Sequence, residues 1–444
     1  MDSIDQPLKT YQKNVSWLLV ANCFSLVIGF GVQTLIARFL GPTGLGWFTL
    51  ALYLPNMAAL VLNLGLSASN IYFIGSGRTR VKEAFSNAFG VALLLSFGAI
   101  SIFLISFSWL QATFLREVPE LLAFLGIWWL PISLLATYAS SILVAKALIP
   151  QVGLVRLLQT SSYLVLVAAL VVGLKFGPTG AVVSYMVSGF IGLVIMITFL
   201  SPSIKLIPSL HFQVLKEQMA FGLKGHIGTA MQFFNYRLDV LFVTYFLGSR
   251  EVGIYCLAVM IAEALWQVAD AAQTALFPRI AATQETAEFT LKVLGLVFGV
   301  TLVGATLLVI LGKTIILLVF SNKFIEAYEA MLYLLPGIMG LIFGKVLSAD
   351  VFGRGYPWVG TIAAVPSLMA TLVLNPLLIP IFGINGAALT SSVSYIIGGV
   401  IITIIFIRRC NLSYYAIISA FNPAGGLSYL MSVVAKMSGR IGYR

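Results

Sequence analysis

Phe39-Leu40-Gly41-Pro42-Thr43-Gly44-Leu45-Gly46-Trp47-Phe48 is answered 207 positions later by Phe246-Leu247-Gly248-Ser249-Arg250-Glu251-Val252-Gly253-Ile254-Tyr255. Two further pairs keep the same order and almost the same offset. Phe176-Gly177-Pro178-Thr179-Gly180-Ala181 returns as Phe382-Gly383-Ile384-Asn385-Gly386-Ala387, and Leu130-Pro131 returns as Leu335-Pro336. Such self-similarity marks an internal repeat of about half the chain, and it decides the architecture before any single element is assigned.

The repeated material is membrane material. Of the 444 residues, 60% are hydrophobic and 9% charged, with a mean hydropathy of +1.01, whereas soluble domains carry about 25% charged residues. A crossing takes about 20 apolar residues. Twelve stretches qualify, at 16–37, 46–68, 85–107, 121–145, 153–174, 179–200, 220–247, 252–275, 290–311, 329–350, 358–380 and 385–407. Six spans per half bring both halves in from the same side, so the repeats are parallel and related by an axis along the membrane normal. The expected fold is an all-α polytopic membrane protein of two pseudo-symmetric six-helix bundles facing one another, an arrangement suited to alternating access.

The expected divisions are a cytoplasmic segment at 1–15, a first bundle at 16–200, a cytoplasmic linker at 201–219, a second bundle at 220–407 and a tail at 408–444. The polar start runs into an apolar stretch too long for a cleaved signal. With the N-terminus inside, 17 of the 26 Lys and Arg fall on the cytoplasmic side and six outside, which places both termini in the cytoplasm. The net charge of +11 then orients loops rather than binding nucleic acid. Tyr414, Tyr415, Pro423, Gly425 and Gly426 interrupt the tail, which reads as an interfacial helix rather than a thirteenth span. Cys23, Cys256 and Cys410 are too dispersed for a disulfide or metal framework, and no P-loop, nucleophile elbow or zinc spacing occurs. No cofactor is expected.

An ionisable side chain within a span is a functional-site hypothesis by default. Asn235-Tyr236-Arg237-Leu238-Asp239 lies in span seven, where Gln232, Asn235 and Asp239 share a helix face. Arg237 lies about 200° around the helix from Asn235 and Asp239, so it cannot share their direction without distortion. Arginine's fixed fork of donors suits a diphosphate; a buried ion pair with Glu263 or Asp270 is the plainer alternative. Asn56 and Asn63 in span two correspond through the repeat to Glu263 and Asp270 in span eight, and each pair is seven residues apart on one face. Span eight extends that face with Gln267 and Thr274. The asparagines serve equally as packing hydrogen bonds, worth about 0.6 kcal/mol each. The carboxylates Glu263, Asp270 and Asp239 are candidates for coupling to a proton or sodium ion. Arg237, Asn235, Lys224, Asn56, Asn63 and Gln267 are candidates for substrate binding, although Lys224 can simply snorkel to the headgroups. Lys345, Asp350 and Arg354 cluster at the end of span ten, with Asp350 and Arg354 as i,i+4 partners. Prolines at 55, 131, 336, 366 and 376 mark kinks that serve either packing or gating.

With Ala37-Arg38-Phe39-Leu40-Gly41-Pro42, Gly46-Trp47-Phe48, Leu64-Gly65-Leu66, Asn235-x-Arg237-x-Asp239, Gly253-x-Tyr255-x-x-Ala258 and Pro278 in order, the chain resembles Wzx-type flippases of the polysaccharide transporter family. That family lies within the multidrug/oligosaccharidyl-lipid/polysaccharide (MOP) exporter superfamily, and the likeness spans roughly residues 10 to 410. The resemblance implies a non-enzymatic flippase in a prokaryotic cell membrane. It would move a polyprenyl-diphosphate-linked oligosaccharide to the outer leaflet, driven by a proton or sodium gradient. Membrane lipids, a glycan polymerase and chain-length machinery are the further partners implied. Two features depart from the pattern: some relatives have fourteen spans, and Arg237 has only Phe30 as its first-half counterpart. A cation-coupled multidrug exporter of the MATE type shares the architecture and is the alternative.

Overall fold

Hydrocarbon offers no partner for backbone N–H and C=O groups, so a spanning chain must satisfy them within helices. The computed structural model describes residues 2–204, 210–283, 286–356 and 358–413, and no strand occurs among them. In order, the α-helices are α1 Asp2–Leu62, α2 Leu66–Gly75, α3 Val81–Thr113, α4 Glu120–Ile127, α5 Trp129–Ala145, α6 Ile149–Val167 and α7 Gly177–Leu200. They continue as α8 Phe212–Phe246, α9 Ser249–Thr283, α10 Ala287–Ile315, α11 Ala327–Gly353, α12 Val359–Phe382 and α13 Ile384–Arg409. The expected interfacial tail lies outside the described residues from position 414 onward.

Among the described residues ten helices are long and apolar enough to cross a membrane. The first, Val20–Leu62, is 43 residues long, about twice what one crossing takes, and Gly41 at φ 68° and ψ −178° breaks it into two arms. Helix α8 is not among the ten, because Lys216, Glu217, Lys224, Arg237 and Asp239 interrupt its apolar run. Counting both arms of α1 together with α8 yields twelve. The expected second span, 46–68, is corrected: Leu64 and Gly65 take left-handed φ of 50° and 73°, ending α1 at Leu62 and starting α2 at Leu66. Asn63 therefore stands at a helix break rather than on a continuous face.

The chain separates into two compact units, Met1–Ala230 with Gly248–Gly253, and Met231–Leu247 with Ile254–Arg444. In the first, one core gathers Phe85, Ile142, Leu143, Leu193 and Leu200, and another gathers Leu66, Leu130, Leu134 and Tyr138. Asn70 accepts from Gln218 (3.1 Å) and donates to Ser141 (3.3 Å), fixing the start of α8 against α2 and α5. The second unit centres on Leu294, Ile342, Val346, Leu347 and Phe406. Its helices α11 and α13 approach closely through small residues, with Gly337 against Ser392 and Gly344 near Gly399.

The repeat motif has a definite task within the first unit. A Cβ on Gly46 would overlap the carbonyl oxygen of Ser249, and one on Gly253 would overlap that of Pro42. Ser249 is the repeat equivalent of Pro42, and Gly253 that of Gly46. The contact is reciprocal: each position meets the other's counterpart. Glu117 breaks the symmetry. Its Oε2 accepts the Ser249 N–H at 2.7 Å, placing a carboxylate at the positive end of α9.

The paired prolines diverge. Pro131 has a ring that would oppose the carbonyl of Ile127, and the chain divides there into α4 and α5. Pro336 lies inside an uninterrupted α11, where the Ser392 hydroxyl donates to the Tyr333 carbonyl and accepts from the Gly337 N–H (3.1 Å). A side chain inserted into the helical ladder lets α11 pass its proline intact.

Gly46→Val and Gly253→Val force a side chain against backbone, and overpacking of this kind costs about 1–3 kcal/mol. Each is expected to lower the thermal midpoint of the detergent-solubilised protein by several degrees. Gly29→Val, at a position with nothing within 4 Å of its Cβ, should leave it in place; equal midpoints for all three variants would refute the crossing.

Candidate functional site

Helix α8 presents two polar faces with different surroundings. Asn235 and Asp239, one turn apart, are each 2% exposed. The Asn235 Oδ1 accepts from Ser394 Oγ (2.6 Å) and Thr371 Oγ1 (2.9 Å), which joins α8 to α13 and α12. Asp239 accepts from the Tyr255 hydroxyl (2.5 Å), Ser391 Oγ (3.1 Å) and the Val240 N–H (2.8 Å). Every donor to this carboxylate is neutral, and no cation pairs with it among the described residues. Two further oxygens on the same helices, Asn375 Oδ1 and Thr390 Oγ1, are buried without a hydrogen bond among the described residues. Buried oxygens left in this way are uncommon, since most polar groups taken from water find a partner.

Arg237 points the other way, as the helical period requires. Its Nη2 lies 3.1 Å from Glu263 Oε2, with side-chain exposures of 33% and 16%. Two turns further along α9, Asp270 pairs with Lys345 from α11. The Lys345 ammonium also stands over the rings of Trp266 (4.8 Å) and Tyr236 (5.8 Å), where the ring quadrupole attracts a cation. Tyr236 packs on Trp266 and Tyr395 at 5.2 and 5.4 Å between centroids. Gln267 and Thr274 are exposed on the same side of α9 as the two carboxylates. An exposed strip of charged and polar groups at this depth borders water rather than acyl chains, because a charge facing lipid costs about 2.5–3.5 kcal/mol or more.

Arg237, Glu263, Gln267 and Asp270 thus form one patch, while Asn235 and Asp239 are turned into the packing of the second unit. Asn56 and Asn63 lie in the first unit. Asn56 Oδ1 accepts from Trp129 Nε1 at 2.8 Å, and Asn63 Nδ2 donates to Ser67 Oγ at 2.9 Å. Lys224 is exposed on the part of α8 that belongs to that same unit.

The sequence groups Lys345 with Asp350 and Arg354, but the structure pairs it elsewhere. Those two do pair, through Arg354 Nε and through Nη2 at 3.1 Å, and Asp350 also takes the Thr290 hydroxyl. Lys345, five residues before Asp350, lies on another face, and a lone cation in mid-span needs a carboxylate from a neighbouring helix. Asp270 was available for that role.

A family described as "Polysaccharide biosynthesis protein" matches the chain over residues 11–284. A "Putative O-antigen transporter" of Shigella flexneri is 22% identical over 424 residues, covering 90% of this chain and 98% of that protein. Among solved structures, an inward closed conformation of the lipid II flippase MurJ matches with a TM-score of 0.75 at 13% identity, over 94% of this chain and 92% of that one. An inward-facing multidrug resistance MATE family transporter of the MOP superfamily matches with a TM-score of 0.69 at 15% identity, over 87% of this chain and 94% of that one. These structures share the fold expected from the sequence.

Lys345→Met strands the Asp270 carboxylate and is expected to destabilise the protein by about 1–3 kcal/mol, less than for a fully buried pair because Asp270 is partly exposed. Adding Asp270→Asn should recover part of the loss, with a coupling of about 1–2 kcal/mol in a double-mutant cycle of thermal midpoints. Strict additivity would mean that the pair contributes nothing.

Proposed function

The chain belongs to the polysaccharide biosynthesis protein family, and on that premise we propose that it is a flippase. It carries a polyprenyl-diphosphate-linked oligosaccharide from the cytoplasmic to the outer leaflet of a prokaryotic cell membrane. The work is done by alternating access, coupled to a proton or sodium gradient, and is transport rather than enzymatic catalysis. The single observation that carries this reading is Arg237, a guanidinium one-third exposed at mid-span on a water-bordering strip. Its permanent charge and paired donors fit phosphate oxygens, and Gln267 beside it offers an amide to the sugar hydroxyls. Asn235 does not contribute, since its side-chain oxygen is already engaged twice. Asn56, Asn63 and Lys224 are candidates for contacts to the glycan along the route through the first unit.

Of the three carboxylates that could bind a coupling ion, Asp239 is the one in no direct ion pair among the described residues; Arg237 acts on its charge only from a distance. A fully buried carboxylate met only by neutral donors gains most from a proton or a sodium ion, whereas Glu263 and Asp270 already hold cations. That pairing also speaks against a MATE-type exporter of cationic drugs, which needs unpaired negative charge where it receives its cargo.

Inverted vesicles loaded with a short-chain polyprenyl-diphosphate glycan provide the test. Arg237→Gln is expected to lower the flipping rate at least about tenfold at unchanged expression, with Arg237→Lys retaining more. Full activity of Arg237→Gln would reduce the residue to structure. Asp239→Asn should still exchange substrate between leaflets but lose acceleration by an imposed proton or sodium gradient; retained acceleration removes Asp239 as the coupling site.

A further inference from the structure

The strip on α9 is electrically balanced, with two cations and two carboxylates. A diphosphate arrives with about two or more negative charges at neutral pH, and a balanced site offers no excess of positive charge to meet them. A diphosphate head then competes with a carboxylate for its cation.

The geometry distinguishes the two. Asp270 is the more exposed, at 39%, and its partner Lys345 is held additionally by the faces of Trp266 and Tyr236. Glu263 meets Arg237 through Oε2, while its other oxygen, Oε1, is buried and accepts no hydrogen bond among the described residues. A carboxylate has about four acceptor sites, and a buried one ordinarily fills several of them. Glu263 thus meets its cation through one oxygen and leaves the other without a donor, and its cation is the one whose donor geometry suits phosphate.

We propose that Glu263 is an internal competitor that occupies Arg237 in the absence of substrate. A diphosphate head displaces it, and the released carboxylate takes up one proton. The Arg237–Glu263 ion contact is replaced by an Arg237–phosphate contact, one O–H bond forms at Glu263, and the proton comes from the aqueous side to which the strip is open. Without that proton the exchange would leave a buried carboxylate beside an added anion, the arrangement that low-polarity surroundings penalise most. The charged and titratable groups that face Glu263 are Arg237, Asp239 and Tyr236 from α8, Asp270 on its own helix, Lys345 from α11 and Tyr395 from α13. The arrangement also gives selectivity: a neutral glycan or a monoanion competes poorly with a built-in carboxylate, so the anchor responds to diphosphates.

This inference rests on the reading that Arg237 receives the head, and the test separates the two. Full-length protein in nanodiscs is titrated with farnesyl diphosphate, and separately with inorganic pyrophosphate, in buffers of different ionisation enthalpy at one pH. The difference in heats counts the protons taken up. Wild-type protein is expected to take up about one proton more than Glu263→Gln, and Glu263→Gln to bind both probes at least about tenfold tighter. Glu263→Asp, which keeps the charge but shortens the reach to Arg237, should bind with intermediate affinity, so the proposal remains testable if the Gln variant folds poorly. If Glu263→Gln binds no tighter and takes up as many protons as wild type while Arg237→Gln has lost binding, the competitor is refuted and Arg237 stands as the receiver. If Arg237→Gln binds both probes as wild type does, the placement of the head at Arg237 fails, and the exchange with it.

Discussion

An ionisable side chain at mid-span costs about 2.5–3.5 kcal/mol or more unless something opposite meets it. Much of the second unit is arranged around that requirement. Helix α9 carries Glu263 and Asp270 two turns apart, and each is met by a cation from a different helix, Arg237 on α8 and Lys345 on α11. The two ion pairs thereby hold three helices to one another at the depth where apolar packing gains nothing from excluding water. The ring cluster of Tyr236, Trp266 and Tyr395 fills the space between them and gives the lysine head a favourable surface.

The halves of the molecule share a plan but not a chemistry. Gly46 and Gly253 are equivalent in sequence and reciprocal in space, and both must be glycine because a backbone carbonyl occupies the place of a side chain. Away from that crossing the equivalence decays. Glu263 and Asp270 lie on an unbroken α9, whereas their counterparts Asn56 and Asn63 are divided by the end of α1, with Asn63 at the turn. Pro131 separates two helices where Pro336 does not; beside Pro336 the Ser392 hydroxyl bridges the Gly337 N–H and the Tyr333 carbonyl. Asn56 and Asn63 carry no charge, so the break between them strands none, whereas a break between Glu263 and Asp270 would separate two charged groups.

What could be read from sequence follows the same physical division. The repeat, the helical class, the shared face of Glu263 and Asp270, and the opposite directions of Arg237 and Asp239 all depend on offset or helical period, which one chain displays by itself. The partners of those residues depend on which helices become neighbours, and periodicity says nothing of that. Lys345 was placed with Asp350 by nearness in sequence, although the requirement that a mid-span cation find a carboxylate pointed away from a site already claimed by Arg354. The break at Leu64 and Gly65 was hidden because an apolar run continues across it. Its visible signal was the glycine.

Helix α8 assigns different duties to its two faces. Asn235 and Asp239 are held by hydroxyls from three other helices, and moving either would leave several buried donors unpaired at about 1–3 kcal/mol each. That face is suited to hold a small ion that enters without rearranging it. Arg237, on the other face, is engaged by Glu263, whose second oxygen accepts no hydrogen bond among the described residues. On the proposed reading, an ion held by one face and an anion held by the other would both act on the stretch of α8 around Asn235–Asp239, so coupling between them would need no relay beyond that stretch.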